Sequence, residues 1–158
     1  MTNPQIRIGH CSPDAPNVDI CVDGDPALKD VALQDISEYT SLSSGRHEIR
    51  IAPAGADDTV IETTLRCSDD TLYTALATGL LEDIDVSVFE DDPGEIPSGK
   101  AHVRFIHASP DAPRVTVQVR DGPKGVRRLK LRHASRHEQV AAAATPQHSR
   151  QSRAKSLR

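Results

Sequence analysis

Residues 6–22, IRIGHCSPDAPNVDICV, return at residues 103–119 as VRFIHASPDAPRVTVQV, with nine of the seventeen aligned positions identical. A long segment that recurs once marks the start of a folding unit, so the chain begins one domain, completes it and begins a second. Within each copy the run Ser-Pro-Asp-Ala-Pro, at residues 12–16 and 109–113, cannot be strand interior. Its two prolines withdraw ladder donors and fix the backbone in turn or extended conformations. Each copy therefore reads as strand, rigid connector, strand.

Beyond the connector, apolar and polar residues alternate with period two, the pattern of half-buried strands. Ile6, Ile8 and His10 share one phase, and so do Val18, Ile20 and Val22. Leu28, Val31 and Leu33 form a short, irregular strand leading to Ile36, Tyr39 and Leu42. His47, Ile49 and Ile51 follow Ser44-Gly45; Ile61, Thr63, Leu65 and Cys67 follow Pro53-Ala54-Gly55. Leu72, Thr74, Leu76 and Thr78 come after Ser68-Asp69-Asp70, and Ile84, Val86 and Val88 close the series after Gly79. About seven short strands with turn residues at each join and no amphipathic helix predict an all-β fold, an immunoglobulin-like antiparallel β-sandwich, with a closed barrel as the alternative. The only aromatics are Tyr39, Tyr73, Phe89 and Phe105, so the core is aliphatic.

A length of 158 residues accommodates one core of ordinary size and a remnant. The expected organisation is a sandwich over residues 1–92, a linker over 93–101, a truncated second repeat of two strands over 102–122 and a basic, low-order tail over 123–158. Charge divides in the same way. Residues 1–99 carry twenty Asp and Glu against five Lys and Arg, a net −15, whereas residues 100–158 carry three against fourteen, a net +11. An acidic domain whose single lysine is Lys29 suits high salt, where the screening length falls to about 3 Å at 1 M. A halophilic source is therefore expected, with an acidic extracellular domain as the alternative. Three readings of the tail compete: a basic arm, a helix around residues 138–144, and a stretch translated out of frame. The abrupt loss of the repeat together with the reversal of charge favours the last.

The N-terminal MTNPQIRIGHC lacks the charged and apolar regions of an export signal, and no run approaches the ~20 apolar residues of a membrane span. Cys11, Cys21 and Cys67 are odd in number and lack paired C-x-x-C spacing, so they read as free, partly buried thiols.

His10, Ser12 and Asp14, with His107, Ser109 and Asp111 in the second copy, contain the three residue types of a hydrolase triad. A working triad needs a nucleophile bonded to a base that a third group orients. Here the three crowd into five residues across a proline-stiffened turn, with no Gly-x-Ser-x-Gly elbow. Because His10 is in phase with Ile6 and Ile8, it reads as a core-facing histidine bonded to its own loop, with Ser12 and Asp14 satisfying backbone donors. All six are assigned a structural role and no residue a catalytic one. Two acidic groups offer oxygen ligands for calcium: Asp14, Asp19, Asp23 and Asp25, and Asp57, Asp58, Asp69 and Asp70. Neither follows a calcium-loop spacing, so no metal and no cofactor are assigned.

The pattern H-x-S-P-D-A-P-x-V, followed by a hydrophobic strand and Asp-Gly, resembles the family catalogued as domain of unknown function 4397. The resemblance covers the first domain through about Phe89 and resumes from Val103 to about Gly122. It implies β-sandwich modules, often in tandem, in secreted or envelope-associated proteins of bacteria and archaea, and it implies no reaction. The chain departs from the pattern at Thr116, which stands where Asp19 stands in copy one, and in its unmatched tail. The expected function is a non-catalytic interaction module, not an enzyme, whose partner is an unidentified protein or envelope component. Self-association through unpaired strands is a further expectation. The alternative is an acidic domain whose basic tail, with Arg127, Arg128, Lys130 and Arg132, binds nucleic acid non-specifically. No interleaved aromatics support it.

Overall fold

The computed structural model describes residues 1–92, 94–118 and 129–141. Eight strands come from the region of regular alternation: β1 (Gln5–His10), β2 (Val18–Val22), β3 (Asp25–Val31), β4 (Thr40–Ser41), β5 (Gly45–Pro53), β6 (Ile61–Cys67), β7 (Leu72–Thr78) and β8 (Asp85–Glu90). They form two four-stranded sheets, in the orders β4-β1-β7-β8 and β3-β2-β5-β6. The apolar phases face one another across the gap. Ile6, Ile8, Tyr73, Ala75 and Ala77 from the first sheet meet Val18, Ile20, Ile49, Ile51 and Leu65 from the second. Asp23-Gly24 makes the two-residue turn between β2 and β3, both residues at positive φ, as the right-handed twist of a tight hairpin demands.

The fold is thus all-β and sandwich-like, with one departure from a purely antiparallel arrangement. β1 and β7 pair in parallel, from Gln5 opposite Leu72 to His10 opposite Ala77. At the proline connector the chain crosses into the other sheet, and β7 returns only after that sheet is built. The two neighbours are therefore not joined by a hairpin, which would have imposed antiparallel sense. β7 departs from the sequence pattern in a second respect. Its core-facing set is Tyr73, Ala75 and Ala77, whereas the Leu72, Thr74, Leu76 and Thr78 phase lies on the outer face. That outer face is also covered, so the strand is buried from Tyr73 to Thr78.

Residues 100–118 and 129–141 add further structure, and Arg132 among them reaches that face at Thr78. β9 (Lys100–Val103) and β10 (Glu138–Ala141) form a two-stranded antiparallel sheet. Isolated bridges join Ile106 to Ala134 and Val115 to Leu129. These contacts correct the expected boundary of the second copy at residue 122 and the low-order reading of residues 129–141. Residues 129–137 occupy the places that residues 31–39 occupy in copy one. Gln34 donates to the His10 carbonyl at 2.7 Å and Arg132 to the His107 carbonyl at 2.7 Å; Ser37 donates to Ile8 at 2.9 Å and Ser135 to Phe105 at 2.8 Å. Gln34 and Arg132 share positive φ, 76° and 62°. The β1–β4 register, Ile6 opposite Thr40, returns as Val103 opposite Glu138. The correspondence escapes sequence comparison because copy two carries one extra residue between Val115 and Leu129, and only Leu131 and Ser135 keep the residues of copy one, Leu33 and Ser37. Glu138–Ala141 is strand and not helix. The expectations for residues 119–128 and 142–158 lie outside the described residues.

Candidate functional site

The repeated histidine closes its own connector. His10 is 0 % exposed, and its Nε2 lies 2.9 Å from the Pro16 carbonyl while the Ser12 N–H donates to Nδ1 at 3.3 Å. His107 repeats both bonds, to the Pro113 carbonyl at 2.9 Å and from the Ser109 N–H at 3.3 Å. With Nδ1 accepting, Nε2 carries the hydrogen and donates to the carbonyl. A backbone that two prolines already stiffen is thereby pinned at both ends of its turn.

Ser12 and Asp14 are close but not organised as a nucleophile and an orienting acid. Ser12 Oγ is 3.5 Å from Asp14 Oδ1, and no hydrogen bond joins Ser12 Oγ to the imidazole. Asp14 Oδ1 instead accepts the Leu81 N–H at 2.8 Å, tying the connector to the bend after β7. Ser12 is buried; its counterpart Ser109 is exposed, as is Asp111.

A second cluster, which sequence reasoning missed, joins the two copies. Asp91, just after β8, accepts hydrogen bonds from Thr74 Oγ1 and from the Tyr39 hydroxyl, the latter at 2.8 Å, and pairs with Arg104 from copy two. Arg104 also donates to the Glu90 carbonyl at 2.7 Å and lies over the Phe89 ring at 5.6 Å. Arg7, the copy-one counterpart of Arg104, donates to Thr74 Oγ1 at 2.9 Å and stacks on Tyr39 at 5.0 Å. Burial, and after it the hydrogen bond to Asp91, pushes the Tyr39 phenol up. At the other end Arg132 reaches across to Thr78 Oγ1 at 3.1 Å and the Asp83 carbonyl at 2.6 Å. Gly79 makes room for it: a Cβ there, at φ 96°, would overlap the Arg132 guanidinium and lie 2.9 Å from the Asp83 carbonyl. No sequence motif advertises these contacts, because the partners lie 13 to 67 residues apart.

The carboxylates weighed for calcium mostly hold turns. Asp19 accepts from the N–H groups of Asp30 at 2.8 Å and Gly55 at 3.0 Å, which lower its pKa. Asp70 accepts from Thr2, with the same effect, and Asp69 from Ser44. Asp23 holds His47, a pair the sequence did not reveal. His47 Nδ1 is 2.6 Å from Asp23 Oδ2 and its Nε2 is 2.7 Å from the Ser43 carbonyl. Two acceptors on one ring suit the doubly protonated form, and the Asp23 hydrogen bond above all raises the His47 pKa while lowering that of Asp23. Among the described residues, no three His, Cys, Asp or Glu side chains come together as a metal cluster.

The family model described as Domain of unknown function (DUF4397) matches residues 4–118, from β1 through the connector of copy two. The chain belongs to this family. No curated protein and no solved structure matches it. In this DUF4397 domain Cys11, Cys21 and Cys67 are free thiols, and burial raises the pKa of Cys11 and Cys67. No helix among the described residues of the DUF4397 chain is long and apolar enough to cross a membrane.

Proposed function

We propose that the chain is a non-catalytic interaction module, a tandem pair of immunoglobulin-like sandwiches in which copy one is the scaffold and half-built copy two is the binding surface. One contrast carries this reading. Ile6, Ile8, Val18 and Ile20 are buried, while their counterparts Val103, Phe105, Val115 and Val117 are each left partly exposed. An apolar face of this kind, rimmed by polar residues, is characteristic of a surface that another polypeptide covers. The histidine motif favours the same reading, since both ring nitrogens of His10 and of His107 face backbone groups of their own loops. The resemblance-derived placement at an envelope or outside the cell is part of the proposal.

Backbone hydrogen exchange tests the openness of copy two. In dilute full-length protein the amides of Arg104, Ile106 and Ala108 are expected to exchange about 100-fold faster than those of Arg7, Gly9 and Cys11, which face β7. Equal protection would remove the binding surface and with it the proposal. A random-sequence duplex titrated at low and high salt separates the nucleic-acid alternative: affinity that falls steeply with salt would put it first.

A further inference from the structure

Resting on that reading, we infer that the partner of copy two is a second copy of this chain, joined to it edge to edge along the strand that includes β9 and runs on to His107. In copy one the corresponding strand β1 is bonded on both sides, by β4 and by β7. In copy two the side facing β10 is filled: the N–H of Phe105 donates to Ser135 Oγ, and that of His107 donates to the His133 carbonyl. The opposite side, where Arg104, Ile106 and Ala108 point their backbone groups, pairs with no strand among the described residues. Copy one does not obstruct it. Among the described residues, copy one meets this strand through the Arg104 side chain and pairs no strand with it.

Charge and shape select the occupant. Three of the other edges are blunted, β3 by Pro26, Lys29 and Asp30, β6 by Glu62 and Arg66, and β8 by Asp85 and Glu90, and β4 is only two residues long. From Lys100 to His107 the charged residues are Lys100, at the start of the strand, and Arg104, whose charge is already met by Asp91, with the two side chains 11 % and 8 % exposed. With Arg104 neutralised, two such edges approach without the repulsion that guards β3, β6 and β8. Antiparallel pairing about Phe105 sets Arg104 opposite Ile106 of the partner, a hydrogen-bonded pair, and Phe105 opposite its own copy on the inner face, a close non-hydrogen-bonded pair. No like charges are then opposed. The sheet β10-β9 doubles to four strands, the number in each sheet of copy one.

Sedimentation of the full chain over a concentration series in 1 M salt reads the association. Ile106→Pro removes one edge N–H and leaves the bonds of Phe105 and His107 in place, so it is expected to raise the dimer dissociation constant at least about tenfold with unchanged thermal unfolding. Phe105→Cys supplies an independent readout if the proline variant misfolds. Its Cα atoms would stand about 4.5 Å apart across the axis, within disulfide range, so with oxidised glutathione it is expected to cross-link faster than Ile36→Cys, at an exposed site in copy one. A chain that stays monomeric, or a dimer that Ile106→Pro leaves intact and Phe105→Cys does not cross-link, overturns the inference. If that monomer still exchanges its edge amides rapidly, the surface stands and belongs to a strand of another protein; if it protects them, the module reading falls as well.

Discussion

The two histidine types in this chain differ in what their rings face, and the difference sets what each contributes. His10 joins one acceptor and one donor, so its removal leaves the Pro16 carbonyl and the Ser12 N–H unsatisfied inside the protein and opens a void. His10→Ala is expected to cost about 3 kcal/mol in urea unfolding, combining lost packing with unpaired polar groups. His107→Ala, in the half-built copy, should leave the main transition nearly unmoved; equal losses would mean that the two copies unfold as one. His47 joins two acceptors. Its raised pKa contributes stability that is full below about pH 6.5 and is lost as pH climbs through the higher folded-state value. The depressed Asp23 contributes above about pH 3.8 and loses that contribution as pH falls through its folded value. The pair therefore stabilises most between those limits. Thermal melts from pH 5 to 9 should show a decline on the alkaline side that His47→Gln flattens.

Between elements, the described junction of copy one and copy two rests on few polar contacts, of which the Arg104–Asp91 pair is buried. Asp91 takes three side-chain donors from three places in the fold: Tyr39, Thr74 on β7 and Arg104 in copy two. Removing one partner of a buried ion pair leaves the other charge uncompensated, at a cost of about 3–5 kcal/mol. Arg104→Met is expected to free copy two, so that proteolytic cleavage between Asp92 and Lys100 accelerates at least about tenfold while a copy-one core persists. Unchanged cleavage would mean that Arg132 and its bonds to Thr78 and Asp83 hold the junction alone.

Over the whole molecule, the net −15 of residues 1–99 opposes compaction, and the net +11 of residues 100–158 offsets part of it. Salt should matter accordingly. Between 0.1 and 1 M the screening length shrinks from about 10 Å to about 3 Å, so the melting temperature is expected to rise with salt. A falling melting temperature would show that attraction between the acidic and basic parts outweighs repulsion within the first.

The sandwich itself was legible because strand alternation has period two and the turns carry Gly, Pro and Asp-Gly. Ile6, Ile8, Val18, Ile20, Ile49 and Ile51 announce their burial by phase alone. The inward histidine and its bonds to the connector were legible for the same reason. The phase of β7 was not, since a strand covered on both faces loses its alternation and only its neighbours show which face is inner. Nor was the parallel β1–β7 pairing, which follows from the path of the chain between sheets. The continuation of copy two through residues 129–141 was hidden as well: backbone hydrogen bonds repeat a geometry with little demand on side-chain identity, so Arg132 does the work of Gln34 and His133 that of Asp35. Local pattern thus specified which segments become strands and which residues turn inward. Tertiary structure alone decided which strands become neighbours, because that outcome depends on contacts between residues far apart in sequence.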